Sequence, residues 1–269
     1  MAMTTPKTLW LIGCGNMAGA MLRRWIAAGA VQGADVFVLN RSDRALPEGV
    51  RQGRALPDGA LPDAVMLGVK PQQLDGIAEQ IAARIAGVPM LVSILAGVEE
   101  AALATRFNAG ATIRAMPNLP VEIGKGVVAL HSDSADDPAR ARAQALMAPL
   151  GLVEWVDVAR FDAVTALAGS GPAFVYRFID ALAEAGAAVG IPADQALRLA
   201  LATVEGGALL AAQSPDTPAA LADKVASPGG STRKGLDVLD ADAALIKLLT
   251  ATLGASERRN AEMAAAARG

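Results

Sequence analysis

A chain of 269 residues with a net charge of −3 and a pI near 5.3 has room for one large domain or two small ones, and carries no basic footprint for nucleic acid or anionic lipid. Hydrophobic residues make up 53% before 27 glycines are added, against a usual apolar share of about 45–50% that already includes glycine. Much of the excess is alanine, a matter of helix propensity, and the rest points to apolar surface buried between subunits.

The first predicted strand, 8–12, is the apolar run Leu9-Trp10-Leu11-Ile12, which breaks into Gly13-Cys14-Gly15-Asn16-Met17-Ala18 and then into a helix over 16–28. Strand, glycine turn and helix N-terminus in that order make a dinucleotide pyrophosphate site. Gly13 permits the tight turn, Gly15 removes the side chain that would hold phosphates off the backbone, and Ala18 lets helix and strand pack closely. Cys14, the single cysteine, excludes an intrachain disulfide and a cysteine-clustered metal site. The run 9–12 is too short for a signal-peptide core, so a cytoplasmic protein is expected. The next strand, 35–39, ends in Asn40-Arg41-Ser42. No acid waits there for the ribose hydroxyls and an arginine follows, which favours NADPH over NADH as the weaker alternative. The stretch 42–63, rich in Pro, Gly and Arg, is the least regular, with room for a degenerate helix.

Strands at 64–67, 90–94, 111–114, 127–130 and 152–156 then alternate with helices at 72–85, 99–107 and 138–147, the pattern of a mostly parallel sheet covered by helices. Two loops fall at strand ends where such sheets bind ligands, Gly68-Val69-Lys70-Pro71 and Ser93-Ile94-Leu95-Ala96-Gly97. A proline-fixed loop follows at 114–120. His131, the only histidine, reads as an exposed loop residue rather than a metal ligand or a triad member.

From Phe161 onward apolar spacing of three and four dominates, predicting helices at 172–189, 192–213, 218–225, 231–240 and 241–267. The fold class is therefore α/β, a Rossmann-type dinucleotide-binding domain over 1–157 followed by an all-helical domain over 158–269. Charged residues interrupt every long helix, so no membrane span is expected. Ala226-Ser227-Pro228-Gly229-Gly230-Ser231-Thr232 is a turn leading into a helix N-terminus with hydroxyls, equally readable as a carboxylate site or a simple capped turn.

The ordered set Gly13-x-Gly15-Asn16-Met17-Ala18, Val69-Lys70-Pro71, Arg114-x-Met116-Pro117-Asn118-x-Pro120, Asp162–Leu167 leading into Gly169-Ser170-Gly171-Pro172-Ala173, and Asp223-Lys224-Val225-x-Ser227-Pro228-Gly229-Gly230 resembles the pyrroline-5-carboxylate reductases over nearly the whole chain. Departures are small: Cys14 for Gly or Ala, Ala168 for Ser, Phe174 for Tyr, Ala226 for Ser or Thr, and Ser231 for Thr or Ala. The resemblance implies reduction of L-1-pyrroline-5-carboxylate to L-proline, the last step of proline biosynthesis, by hydride from NADPH. It implies cofactor contacts from Gly13 to Ala18, Asn40, Arg41, Val69, Lys70, Pro71, Leu95 and Ala96. Gly229 and the N–H groups of Gly230, Ser231 and Thr232 would hold the substrate carboxylate, with the Thr232 hydroxyl on the ring nitrogen as the catalytic contact. It further implies an interleaved homodimer, and five such dimers in a ring. Two other readings compete: a different imine- or carbonyl-reducing enzyme on this plan, and a nucleotide sensor. A β-hydroxyacid dehydrogenase would carry a lysine on the first long helix, and 171–189 has none; a sensor has no use for the 227–232 loop.

Overall fold

The computed structural model describes residues 5–268. Contacts group them into two compact units, one running to Ser170 and resuming at Ser256, the other Gly171–Ala255. In chain order the first contains β1 (Leu9–Ile12), α1 (Asn16–Ala27), β2 (Val36–Leu39), β3 (Arg51–Gly53), β4 (Ala64–Leu67), α2 (Leu74–Ile85), β5 (Val88–Ser93), α3 (Glu100–Ala104), β6 (Ala109–Pro117), β7 (Gly126–His131), α4 (Asp137–Met147), β8 (Gly151–Trp155) and α5 (Phe161–Val164), which continues as a π-helical turn, Thr165–Gly169.

The strands form one sheet ordered β3-β2-β1-β4-β5-β6-β7-β8, parallel throughout except between β6 and β7. β1, β2 and β4 are buried along their whole length, because a parallel sheet is covered on both faces, and each therefore reads as an unbroken apolar run. One face packs Met21, Leu22 and Trp25 of α1 against Leu146 and Met147 of α4. The other packs Ile77, Ile81 and Ile85 of α2 with Leu103 and Phe107.

Several expectations change. The stretch 42–63 supplies β3 rather than a degenerate helix, with Arg51, Gln52 and Gly53 paired to Phe37, Val38 and Leu39. A Cβ on Gly53 would stand 3.0 Å from the Phe37 ring, and three residues are too few to print a periodicity. The helix expected over 99–107 is the five-residue α3. β6 extends through the predicted proline loop to Pro117, held by β7 from Arg114↔His131 to Pro117↔Val128. His131 is not exposed: it ends an inner strand and is 7% exposed, against the Phe161 ring.

The residues from Ser256 on return to the first unit. Ser170 Oγ and Ser256 Oγ lie 3.1 Å apart, Asn260 donates to the Asp162 carbonyl at 3.3 Å, and a Cβ on Gly97 (φ +73°) would stand 3.3 Å from the Ala264 nitrogen and 3.5 Å from Met263 Cβ. The join expected near 157–162 lies inside this unit.

The second unit holds α6 (Gly171–Ala188), α7 (Ala193–Gln213), α8 (Pro218–Val225), α9 (Ser231–Asp240) and the start of α10 (Ala244–Arg268). Gly190 (φ +99°) ends the α6 segment, with the Ile191 N–H donated back to the Gly186 carbonyl at 3.2 Å. Gly186 lets α7 approach, its Cβ position lying 3.3 Å from Ala196 Cβ. Of α6 and α7 only Ala183, Ala196 and Ala200 are buried, while Phe178 is 54% and Leu210 63% exposed. This unit does not cover its own apolar surface, the signature of a surface that another chain covers. No helix among the described residues is long and apolar enough to cross a membrane.

Trp25 anchors α1: it is fully buried, and its Nε1–H donates to the Leu146 carbonyl at 2.7 Å. Trp25→Phe keeps much of the volume but removes that buried hydrogen bond, costing about 1–3 kcal/mol, whereas Trp25→Ala costs about 3–5 kcal/mol. Urea unfolding of the two variants measures both; a Trp25→Phe midpoint equal to wild type would assign the anchor to volume alone.

Candidate functional site

The β1–α1 turn is built by close backbone approach. Gly13 has φ +84°, and a Cβ there would stand 2.8 Å from Val69 Cγ1 and 3.1 Å from the Gly68 carbonyl oxygen. Gly68 answers from β4's side, where a Cβ would meet the Gly13 oxygen at 2.9 Å and Ala18 Cβ at 3.0 Å. The Gly13 N–H donates to Leu39 O and the Gly68 N–H to Ile12 O, each at 2.9 Å, so the sheet's ladder carries on past the strand ends.

Gly15 is small for a different reason. Nothing lies within 4 Å of its Cβ position, so a side chain there would meet no neighbour and would instead project into the open space at the head of α1. It caps α1 with no side-chain bond, and the first turn of α1 has no acid. The first intrahelical donor is Gly19, to the Gly15 carbonyl at 2.8 Å, which leaves the N–H groups of Asn16, Met17 and Ala18 for an anion.

These residues open onto a cavity of about 840 Å³, lined by Gly13 to Ala18, Asn40, Arg41, Val69 and Lys70 of the predicted set. Pro71, Leu95 and Ala96 do not line it: Pro71 begins the short 3-10 turn before α2, and Leu95 is turned into the core, 4% exposed, with Ile94 lining instead. The cavity also takes Arg44, Arg54, Gln73 and Gln80, none of which sequence reasoning singled out; the arginine content of 42–63 was the available signal. Arg41, Arg44, Arg54 and Lys70 give the lining four cations and no carboxylate, a set that fits a dinucleotide with an additional phosphate. Asn40 latches the turn, its Oδ1 accepting the Cys14 N–H at 3.1 Å. Burial pushes the Cys14 thiol above its ordinary range, with Arg44 and Arg23 partly offsetting it, so no thiolate opposes the phosphates.

The second unit carries the other predicted set. Gly229 has φ +73°, and Gly230 caps α9 with no side-chain bond and no acid in the first turn. The Gly230 N–H, expected as a carboxylate donor, is already committed to the Ser227 carbonyl at 2.9 Å, because the turn closes on itself there. The first intrahelical donor is Lys234, to Gly230 O at 3.2 Å, so the free donors are those of Ser231, Thr232 and Arg233. Ser231 and Thr232 are exposed, and Arg233 is tied to Asp223 at 2.6 Å.

Two family patterns match: one described as Pyrroline-5-carboxylate reductase dimerisation at residues 159–263, and one described as NADP oxidoreductase coenzyme F420-dependent at residues 8–97. The chain is 38% identical to a pyrroline-5-carboxylate reductase of Synechocystis over 86% of this chain and 89% of that one. It is 35% identical to the Thermus thermophilus protein of the same name, over 93% and 96%. Among solved structures, a pyrroline-5-carboxylate reductase from Coxiella burnetii superposes with a TM-score of 0.87 at 29% identity, covering 96% of this chain and 99% of that one.

The contrast between the two turn glycines is testable. Gly15→Ala adds a methyl to open space, costs at most about 1 kcal/mol as a weaker helix cap, and should weaken NADPH binding at least about 10-fold by fluorescence titration, the equivalent of about 1.4 kcal/mol. Gly13→Ala should instead lower the melting temperature. Undiminished NADPH affinity in Gly15→Ala would remove the pyrophosphate from this turn.

Proposed function

The chain belongs to the pyrroline-5-carboxylate reductase family, and from that premise we propose that it reduces L-1-pyrroline-5-carboxylate to L-proline with NADPH, the last step of proline biosynthesis. The observation that carries the reading is the open Gly15 position at the head of α1, in a cavity lined by four cations and no carboxylate. When bound, NADPH supplies the hydride that adds to the C=N carbon.

The chain's own residues hold and orient. The N–H groups of Asn16, Met17 and Ala18 receive the pyrophosphate, aided by the positive end of α1. Arg41, with Arg44 and Arg54 on the same cavity, takes the 2′-phosphate through charge-assisted hydrogen bonds. In the helical unit, Ser231, Thr232 and Arg233 offer backbone N–H groups to the substrate carboxylate, and Gly229 and Gly230 keep that approach free of side chains. The Thr232 hydroxyl oxygen accepts a hydrogen bond from the N–H of the protonated ring nitrogen. A protonated cyclic imine is already a strong electrophile and keeps its proton as the amine forms, so the reaction asks mainly for alignment. That suits a site with no histidine–carboxylate dyad among its proposed residues. A homodimer covers the apolar side chains of α6 and α7; a ring of five dimers and a cytoplasmic location are the finer parts of this reading.

Losing one charge-assisted contact costs about 1.5–3 kcal/mol. Arg41→Ala should therefore raise the KM for NADPH roughly 10-fold or more while leaving NADH nearly unchanged; equal weakening of both cofactors would make Arg41 a support of the fold.

Steady-state NADPH oxidation with pyrroline-5-carboxylate, its six-membered homologue and a 2-keto acid tests the reaction itself, and the five-membered imine should show the highest kcat/KM. In the same assay Thr232→Ala should lower kcat/KM for that imine roughly 10- to 100-fold, the loss of a bond worth about 1–3 kcal/mol, with NADPH affinity unchanged. Faster turnover of the keto acid would overturn the substrate, and a fully active Thr232→Ala would leave carboxylate capture to the backbone alone.

A further inference from the structure

Among the described residues, one buried side-chain polar atom has no hydrogen-bond partner: His131 Nε2. The ring is held on its other edge, with Nδ1 2.9 Å from the Val156 carbonyl oxygen and Phe161 packed edge-on at 6.2 Å. A carbonyl oxygen only accepts, so Nδ1 carries a proton, and in the neutral ring it is Nε2 that presents the lone pair. That lone pair faces carboxylates. Asp133 Oδ1 is 3.6 Å away, and one ligand atom from each of Glu100, His131 and Asp133 lies within 4.8 Å of the others. Together they offer one nitrogen and two carboxylate oxygens to a cation.

Glu100 is fixed in place. Its Oε1 accepts from Ser134 Oγ at 2.6 Å, Ser134 N–H at 3.1 Å and Ser132 Oγ at 3.4 Å, and its Oε2 accepts only the Asp133 N–H, at 2.7 Å. Oε2 therefore keeps acceptor capacity. Asp133 is the exposed member, its side chain 79% exposed, which gives the cluster access from solvent. The guanidinium of buried Arg114 lies over the Phe161 ring at 4.2 Å, and that of Arg140 donates to the Ser132 and Ala135 carbonyls at 2.7 and 3.3 Å, so both are engaged elsewhere than on the Glu100 and Asp133 carboxylates.

We propose that Glu100, His131 and Asp133 bind a divalent transition-metal cation of the Zn²⁺ class. One imidazole nitrogen with two carboxylate oxygens suits Zn²⁺ at about 2.0–2.2 Å, whereas Mg²⁺ and Ca²⁺ prefer all-oxygen sets. The Nδ1–H bond to a backbone carbonyl is the outer contact that orients a metal-binding histidine. The bound ion ties the end of β7 to the first turn of α3. None of its three ligands lines the cofactor cavity, so the site stands apart from hydride transfer.

Isothermal titration of full-length, untagged, metal-free protein with ZnCl₂ in excess Mg²⁺ tests this. One site per chain is expected, weakened at least about 10-fold in Asp133→Asn with an unchanged melting temperature, and lost in His131→Gln. Co²⁺ in place of Zn²⁺ should give visible d–d bands without a thiolate charge-transfer band. Absence of a stoichiometric site, a site indifferent to Asp133→Asn, or a charge-transfer band that places the metal on Cys14 would each overturn the proposal.

Discussion

The contact of backbone on backbone between Gly13 and Gly68 is the constraint on which the nucleotide half depends. At either position a Cβ would press within 2.8–2.9 Å of the opposing loop, so any side chain there would push β1 and β4 apart. Their closeness lets the ladder run one residue beyond the strands and seats Ala18 against Gly68. That seating aims the free end of α1 into the cavity. The anion site is thus made of main chain, and side chains such as Arg41, Arg44 and Arg54 only refine which anion it prefers.

The second unit follows the opposite logic. The first unit closes two apolar clusters on itself, one against each face of the sheet. The helical unit leaves Phe178 and Leu210 more than half exposed and buries little beyond alanines on α6 and α7. Its stability is then tied to protomer concentration through mass action, in keeping with the dimerisation pattern that matches residues 159–263.

Where local chemistry decides, the chain was legible. Leu9–Ile12, Val36–Leu39 and Ala64–Leu67 are buried on both sides and so print as unbroken apolar runs. The turn at Gly13–Ala18 could be read because each small residue there answers a separate steric demand. What stayed hidden depends on pairing across the sheet. β3 exists because Arg51–Gly53 meets β2, and no three-residue pattern announces that. His131 looked exposed because an acidic turn follows it, yet β6 and β8 flank its strand, and its neighbour Glu100 comes from a helix far away in the sequence. Arg44 and Arg54 reach the cofactor cavity from a segment without periodicity. The Gly230 N–H was miscast for the reverse reason, since a turn of only four residues already uses it.

The hydrogen bond between Ser170 and Ser256 has a topological meaning. Residues 171–255 leave and rejoin the first unit at one seam, so the helical unit is a cassette set into the other unit rather than appended to it. A single cut cannot separate the two. A chain stopped at residue 157 would also forfeit the stretch that packs Met263 and Ala264 beside Gly97 and binds Asn260 to Asp162. Conversely, ends that already meet close a short bridge at little entropic cost. Excising 171–255, or grafting a relative's cassette in its place, is therefore the route to a free-standing nucleotide unit, provided the replacement preserves the register of α10 where it re-enters at Ser256.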